Sequence, residues 1–108
     1  MTIKRITAIV PIDVLEQLEK NLRACGVPGV TVEHVRGYGQ HPNFFRRNLM
    51  QDNARAILYV DASSVDEIVN AIVACSHECG AMAGVLAVES IDRLVSLTDG
   101  TEIVPGTA

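Results

Sequence analysis

The stretch Arg55-Ala-Ile-Leu-Tyr-Val-Asp-Ala-Ser-Ser-Val-Asp-Glu-Ile68 decides the fold. Its first six residues are short, apolar and rich in strand formers, as a buried strand should be. Ser63 or Ser64 is then placed to cap a helix. Asp66 and Glu67 fall in its first turn, where the helix dipole favours anions. Along that helix Ile68, Ile72, Cys75 and Cys79 line one stripe, with Val65, Val69 and Val73 beside it. Gly80 ends it. A strand running into a helix is half of a β-α-β unit, so the flanking sequence must supply the rest.

Upstream, Ile3-Lys-Arg-Ile-Thr-Ala-Ile-Val-Pro-Ile12 reads as another buried strand, and Pro11, which lacks an N–H, marks its end. Asp13 is the predicted N-cap of a helix over residues 14–24. There Leu15, Leu18 and Leu22 recur at helical spacing, while Glu16, Glu19, Lys20 and Arg23 cover the other side. Cys25-Gly26 closes this helix, with Gly26 suited to a left-handed cap, and Val27-Pro-Gly29 turns the chain. Val30-Thr-Val-Glu-His-Val-Arg36 is a second strand, broken by Gly37-Tyr-Gly39. Residues 40–53 hold Pro42, three Asn, Phe44-Phe45 and Arg46-Arg47 with neither period, and read as a long mobile loop. Downstream, Val85-Leu-Ala-Val-Glu89 is a fourth strand and Leu94-Val-Ser-Leu97 a candidate short fifth. Residues 99–108 read as a flexible tail.

The order is βαβ–βαβ with similar halves in a single domain, residues 1–108. This is the α+β, ferredoxin-like plan: a four-stranded antiparallel sheet with two helices on one face. The other face then needs cover, and trimerisation is one answer.

Composition removes several function classes. With 108 residues, 48% apolar and only two Phe, two Tyr and no Trp, one modest core must be built from Val, Ile, Leu and Ala. A formal charge of −4 and no basic run longer than Arg46-Arg47 argue against nucleic acid, which requires a cationic face to displace counterions. No apolar run approaches the roughly 20 residues that span a bilayer, and no secretory signal precedes the first strand. The chain therefore reads as cytoplasmic. Three cysteines, Cys25, Cys75 and Cys79, are too few for a disulfide framework and are expected as free thiols or ligands.

Several stretches together resemble the PII superfamily of signalling proteins. Ile6-Thr-Ala-Ile-Val10 looks like its first strand. Leu22-Arg-Ala-Cys-Gly-Val-Pro-Gly29 with Val30-Thr-Val-Glu-His-Val35 is similar to its first helix end and second strand. Arg36-Gly-Tyr-Gly-Gln40 resembles the base of its T-loop, and Gly39-Gln-His-Pro-Asn-Phe-Phe45 looks like a PII-like subgroup. The likeness runs over roughly residues 3–98, and its ordered set of weak motifs carries it.

The resemblance implies a homotrimer that catalyses nothing and whose T-loops, residues 40–53 here, project toward a partner, often a membrane transporter for ammonium, inorganic carbon or metals. It further implies effector sites in clefts between subunits, with Gly37, Gly39 and Gln40 at the loop base and Thr31 and Gly84 among the ligand-binding residues. The effector would be an adenine nucleotide or a small anion such as bicarbonate. His41, Asn43, Phe44, Phe45, Arg46 and Arg47 would form the partner-binding loop. The chain also departs from the family pattern. Gly80-Ala-Met-Ala-Gly84 is about two residues shorter than the family's phosphate loop and holds no Lys. Ser96 and Thr98 stand near positions where archetypes carry phosphate-binding arginines. A triphosphate needs several cationic or N–H donors, so these departures bear directly on ATP. The loop is also shorter and lacks the Tyr that some members modify.

Read by themselves, the chemistry-bearing residues leave alternatives open. Cys75 and Cys79 lie one helical turn apart and could share a metal ion or a redox reaction, or simply continue the Ile68/Ile72 core stripe. His77 points 160–200° away from both by the 3.6-residue period, joining them only if the helix frays. His34 and His41 flank the loop base as surface residues or as a ligand-gating or metal pair. Phe44-Phe45-Arg46-Arg47 would contact either a neighbouring subunit or a partner protein. No catalytic triad, paired carboxylates or complete zinc motif is present in the sequence. Three readings follow: an effector-sensing regulator, a metal- or redox-responsive trimer using Cys75 and Cys79, or a ligand-free adaptor.

Overall fold

The computed structural model describes residues 2–37, 51–80 and 84–103. In chain order these form β1 (Ile3–Pro11), a 3-10 turn (Ile12–Val14), α1 (Leu15–Ala24), β2 (Thr31–Gly37), β3 (Gln51–Asp61), a 3-10 turn (Ala62–Ser64), α2 (Val65–Glu78) and β4 (Val85–Ser90). The sheet order is β2-β3-β1-β4, and all three pairings are antiparallel. The ferredoxin-like reading therefore holds.

The two halves repeat with an offset of fifty residues. Each pairs a strand with a 3-10 turn and then a helix, beginning at Ile12 and Leu15 in the first half and at Ala62 and Val65 in the second. The core follows the same rule: Leu18 and Leu22 of α1 and Ile68 and Ile72 of α2 are all buried. They close over alternate sheet residues Ile6, Ala8 and Val10 of β1 and Ala54, Ala56, Leu58 and Val60 of β3. Period two in the strands and 3.6 in the helices aim these side chains into one layer. Small Ala8, Ala54 and Ala56 let the helices sit close to the sheet, which suits a core without large aromatics.

Helix ends differ from the sequence expectation at both N-termini. Asp13 is not a cap: Pro11 precedes the 3-10 turn, no side chain caps it, and Asp13 lies within the turn. In the second half Asp61, rather than Ser63 or Ser64, does the capping. Its carboxylate accepts hydrogen bonds from the Ser63 N–H at 3.3 Å and the Ser63 hydroxyl at 3.0 Å. The interposed 3-10 turn moves each cap two to three residues upstream of where the apolar period alone puts it. The C-terminal end of α1 is as read. Gly26 adopts φ 83°, its N–H donates to the Arg23 carbonyl, and the Val27 N–H reaches the Leu22 carbonyl at 3.1 Å. This is the Schellman pattern, and left-handed Gly26 makes it possible.

Three boundaries shift. β3 starts at Gln51, so residues 51–53 of the predicted loop are strand. The fifth strand is reduced to one bridge, Val95 with Glu102. Residues 99–103 of the predicted flexible tail fold back onto residues 94–96. The Ser96 N–H donates to the Thr101 carbonyl at 2.9 Å and the Ile103 N–H to the Leu94 carbonyl at 2.8 Å.

Candidate functional site

The sheet face opposite the helices is built from rows that cross all four strands. One row is Thr31, Ile57, Thr7 and Ala87; the next is Glu33, Arg55, Ile9 and Val85. Ile9, Ile57 and Thr7 are only half-buried at the centre of this face. Each central strand sends an arginine to a glutamate of the neighbouring edge strand. Arg5 in β1 pairs with Glu89 in β4 at 2.8 Å, and Arg55 in β3 pairs with Glu33 in β2 at 2.6 Å. Arg5 and Arg55 stand fifty residues apart, so the ion pairs obey the internal repeat. The Glu89 hydrogen bond, followed by its charge, raises the Arg5 pKa above its ordinary value. Both pairs are solvent-accessible and add little stability by themselves. Their effect is to neutralise the charge flanking an apolar strip.

β2 and β3 form a ribbon whose final registered pair is Gly37 with Gln51, preceded by Arg36 with Asp52. An exposed Arg36–Asp52 ion pair at 3.3 Å closes this root. The described chain stops at Gly37 and resumes at Gln51, directly across the ribbon from it. The predicted loop residues Gly39, Gln40, His41, Asn43, Phe44, Phe45, Arg46 and Arg47 lie outside the described residues.

The other candidate ligand residues are widely separated. Thr31 opens β2 and is exposed; Gly37 ends it. Gly84 precedes β4 with φ 122°, and a Cβ there would collide with the Ile9 carbonyl oxygen. Glycine at 84 is thus demanded by the approach of two backbones. β2 and β4 are the opposite edges of the sheet. With strands spaced about 4.8 Å apart, three steps separate them, or about 14 Å. A single chain does not bring Thr31 or Gly37 against Gly84.

α2 carries the thiols. Cys75 is fully buried, whereas Cys79 is exposed at the helix end, so the core stripe stops one turn earlier than the sequence suggests. Burial pushes the Cys75 pKa up to about 11, and the neighbouring Cys79 and the charge of Glu78 act in the same direction. His77 is exposed and the intact helix does not turn it toward the two thiols. Among the described residues, no group of three or more His, Cys, Asp or Glu side chains is gathered to hold a metal. His34 is exposed on β2 opposite Ala54.

The C-terminal segment holds contacts that sequence reading missed. Arg93 pairs with Glu102 at 2.6 Å, and Asp99 accepts from the Thr101 hydroxyl at 2.7 Å and N–H at 3.1 Å. Those bonds hold the Asp99 carboxyl below the usual carboxylate range. Ser96 is engaged locally, its hydroxyl accepting from the Thr98 N–H at 3.3 Å. Asp-x-Thr at residues 99–101 was the available signal for this turn.

No helix among the described residues is long and apolar enough to cross a membrane. Comparison with protein families gives a match to the model described as nitrogen regulatory protein P-II, over residues 3–97. That span contains all four strands, both helices and the ribbon root, and on this match the chain belongs to the P-II family of regulatory proteins.

Proposed function

We propose that the chain is a non-enzymatic, effector-sensing regulator that works as a homotrimer. The effector, an adenine nucleotide or a small anion such as bicarbonate, sits in clefts between subunits. Residues 40–50 carry the signal to a partner, a membrane transporter being the favoured class. The observation that carries this reading is the separation of Thr31 and Gly37 from Gly84 on opposite sheet edges. Residues of one edge can meet those of the other only when a second chain contributes one of them. The half-buried strip of Thr7, Ile9 and Ile57, bounded by paired charges, supports the same assembly, because it is a surface that a further copy would cover. The missing Lys in residues 80–84 favours a ligand with fewer phosphates than ATP, or an anion held by N–H donors.

Thermal shift of the purified chain, with its mass measured in parallel, tests the proposal. The panel is ATP, ADP, AMP, cyclic AMP, 2-oxoglutarate and bicarbonate. A ligand at 100 times its dissociation constant adds roughly 2.7 kcal/mol, a readily visible shift in a domain this small. A trimer stabilised by one of them is the expected result. A trimer unmoved by the whole panel leaves an adaptor without an effector, and a monomer overturns the proposal.

A further inference from the structure

The last turn of α2 pairs a buried thiol with an exposed one. Cys75 is fully buried against the core, and Cys79, four residues on, is exposed where the helix ends. The two residues stand one helical turn apart, and the Cys79 N–H donates to the Cys75 carbonyl at 3.0 Å. Gly80 follows with φ 72° and its N–H donates to the His77 carbonyl. We infer that Cys75 and Cys79 form a reversible oxidation site for peroxides, in which disulfide closure opens the last turn of α2.

The chemistry balances in two steps. The exposed Cys79 thiolate attacks a peroxide oxygen, the O–O bond breaks, and Cys79 becomes a sulfenic acid as hydroxide leaves. The Cys75 sulfur then attacks the Cys79 sulfur. Its proton and the sulfenic hydroxyl depart as water, and the disulfide remains. A dithiol reductant restores both thiols by exchange.

Geometry supplies the coupling. In an intact helix, residues four apart hold their Cβ atoms about 5–6 Å apart, whereas a disulfide requires about 3.5–4.5 Å. Closure therefore strains the Cys79 N–H to Cys75 carbonyl bond. That bond lies at the helix end, where local opening is least costly, and Gly80 gives the chain freedom to follow. A metal held by the two thiols fits less well. No third ligand is gathered among the described residues. The disulfide is neutral, which suits a sulfur buried at Cys75.

The experiment treats the reduced, full-length chain with hydrogen peroxide. Intact mass, thiol alkylation after denaturation, and hydrogen exchange at residues 79–80 are then read. The expected result is loss of two hydrogens, protection of Cys75 and Cys79 from alkylation with Cys25 still reactive, and faster exchange at residues 79–80, all reversed by dithiothreitol. Cys79→Ser, a surface change that leaves the core intact, should abolish the mass loss. Cys79 gaining two oxygens while Cys75 stays alkylatable would overturn the inference. So would a disulfide linking two chains, or a Cys75–Cys79 disulfide formed with exchange unchanged.

Discussion

Gly84 lies so close to Ile9 that the carbonyl oxygen of Ile9 occupies the space a Cβ at residue 84 would fill. The contact sets where β4 joins β1, because Val85 begins the pairing opposite Ile9. Gly84→Ala must relieve both the collision and a φ of 122°, and should destabilise the fold by about 2–3 kcal/mol. Gly29 faces open space without a positive φ, so Gly29→Ala should stay within about 1 kcal/mol of the parent. Urea unfolding of the two variants side by side checks the contrast.

Leu22 is buried at the end of α1, and its carbonyl anchors the Schellman turn through Val27. Leu22→Ala should cost about 2–5 kcal/mol by urea unfolding, since it opens a cavity in a core with few large side chains. The mirrored Ile72→Ala should cost a similar amount, because the two positions are related by the fifty-residue repeat.

Cys75 predicts a specific alkaline limit. Its pKa is raised from 9.0 to about 11, so the folded state holds its proton more tightly than the unfolded chain does. Below pH 9 both states are protonated and the stabilisation is fully present. It is lost as pH rises through about 11. Calorimetry from pH 8 to 11 should show Tm falling more steeply for the parent than for Cys75→Ala, once the neutral-pH offset of the variant is subtracted.

Asp99 acts at the opposite end of the pH scale. Hydrogen bonds from Thr101 depress its pKa, so the turn gains stability above the ordinary carboxylate range and loses it as pH falls through the folded value. Amide exchange at Thr101 should accelerate in acid beyond the intrinsic rate, and Asp99→Asn should flatten that response.

Ile57 sits half-buried between Thr31 and Thr7 on the sheet face away from the helices. Ile57→Glu should dissociate the proposed trimer, measured by sedimentation, while leaving the helical circular dichroism signal unchanged. A variant still trimeric would place the interface elsewhere.

The helices were legible in the sequence because Leu18, Leu22, Ile68 and Ile72 declare a period that only one face can satisfy. Strand identity was equally plain in Ile6, Ala8 and Val10. What escaped was set by contacts that follow neither the strand nor the helix period. The fold-back of Glu102 onto Val95 is accompanied by the Arg93–Glu102 ion pair and the Asp99 turn, neither of which has a period to reveal it. Gln51 joins β3 because β2 extends to Gly37 beside it, a partnership no local pattern announces. Cys79 continued the apolar stripe by spacing alone, yet the helix ends there and leaves it in solvent. The candidate ligand residues could be named from the family likeness, but their positions on opposite sheet edges required the topology.

Native mass spectrometry with ADP, a nucleotide carrying fewer phosphates than ATP, tests the central claim most directly. It reads assembly and ligand count together. A species of three 11.6 kDa chains that takes up as many as three ADP is expected, with uptake lost together with the trimer in Ile57→Glu. A single 11.6 kDa chain that binds the nucleotide unaided would contradict it, because the site would then be complete within one subunit.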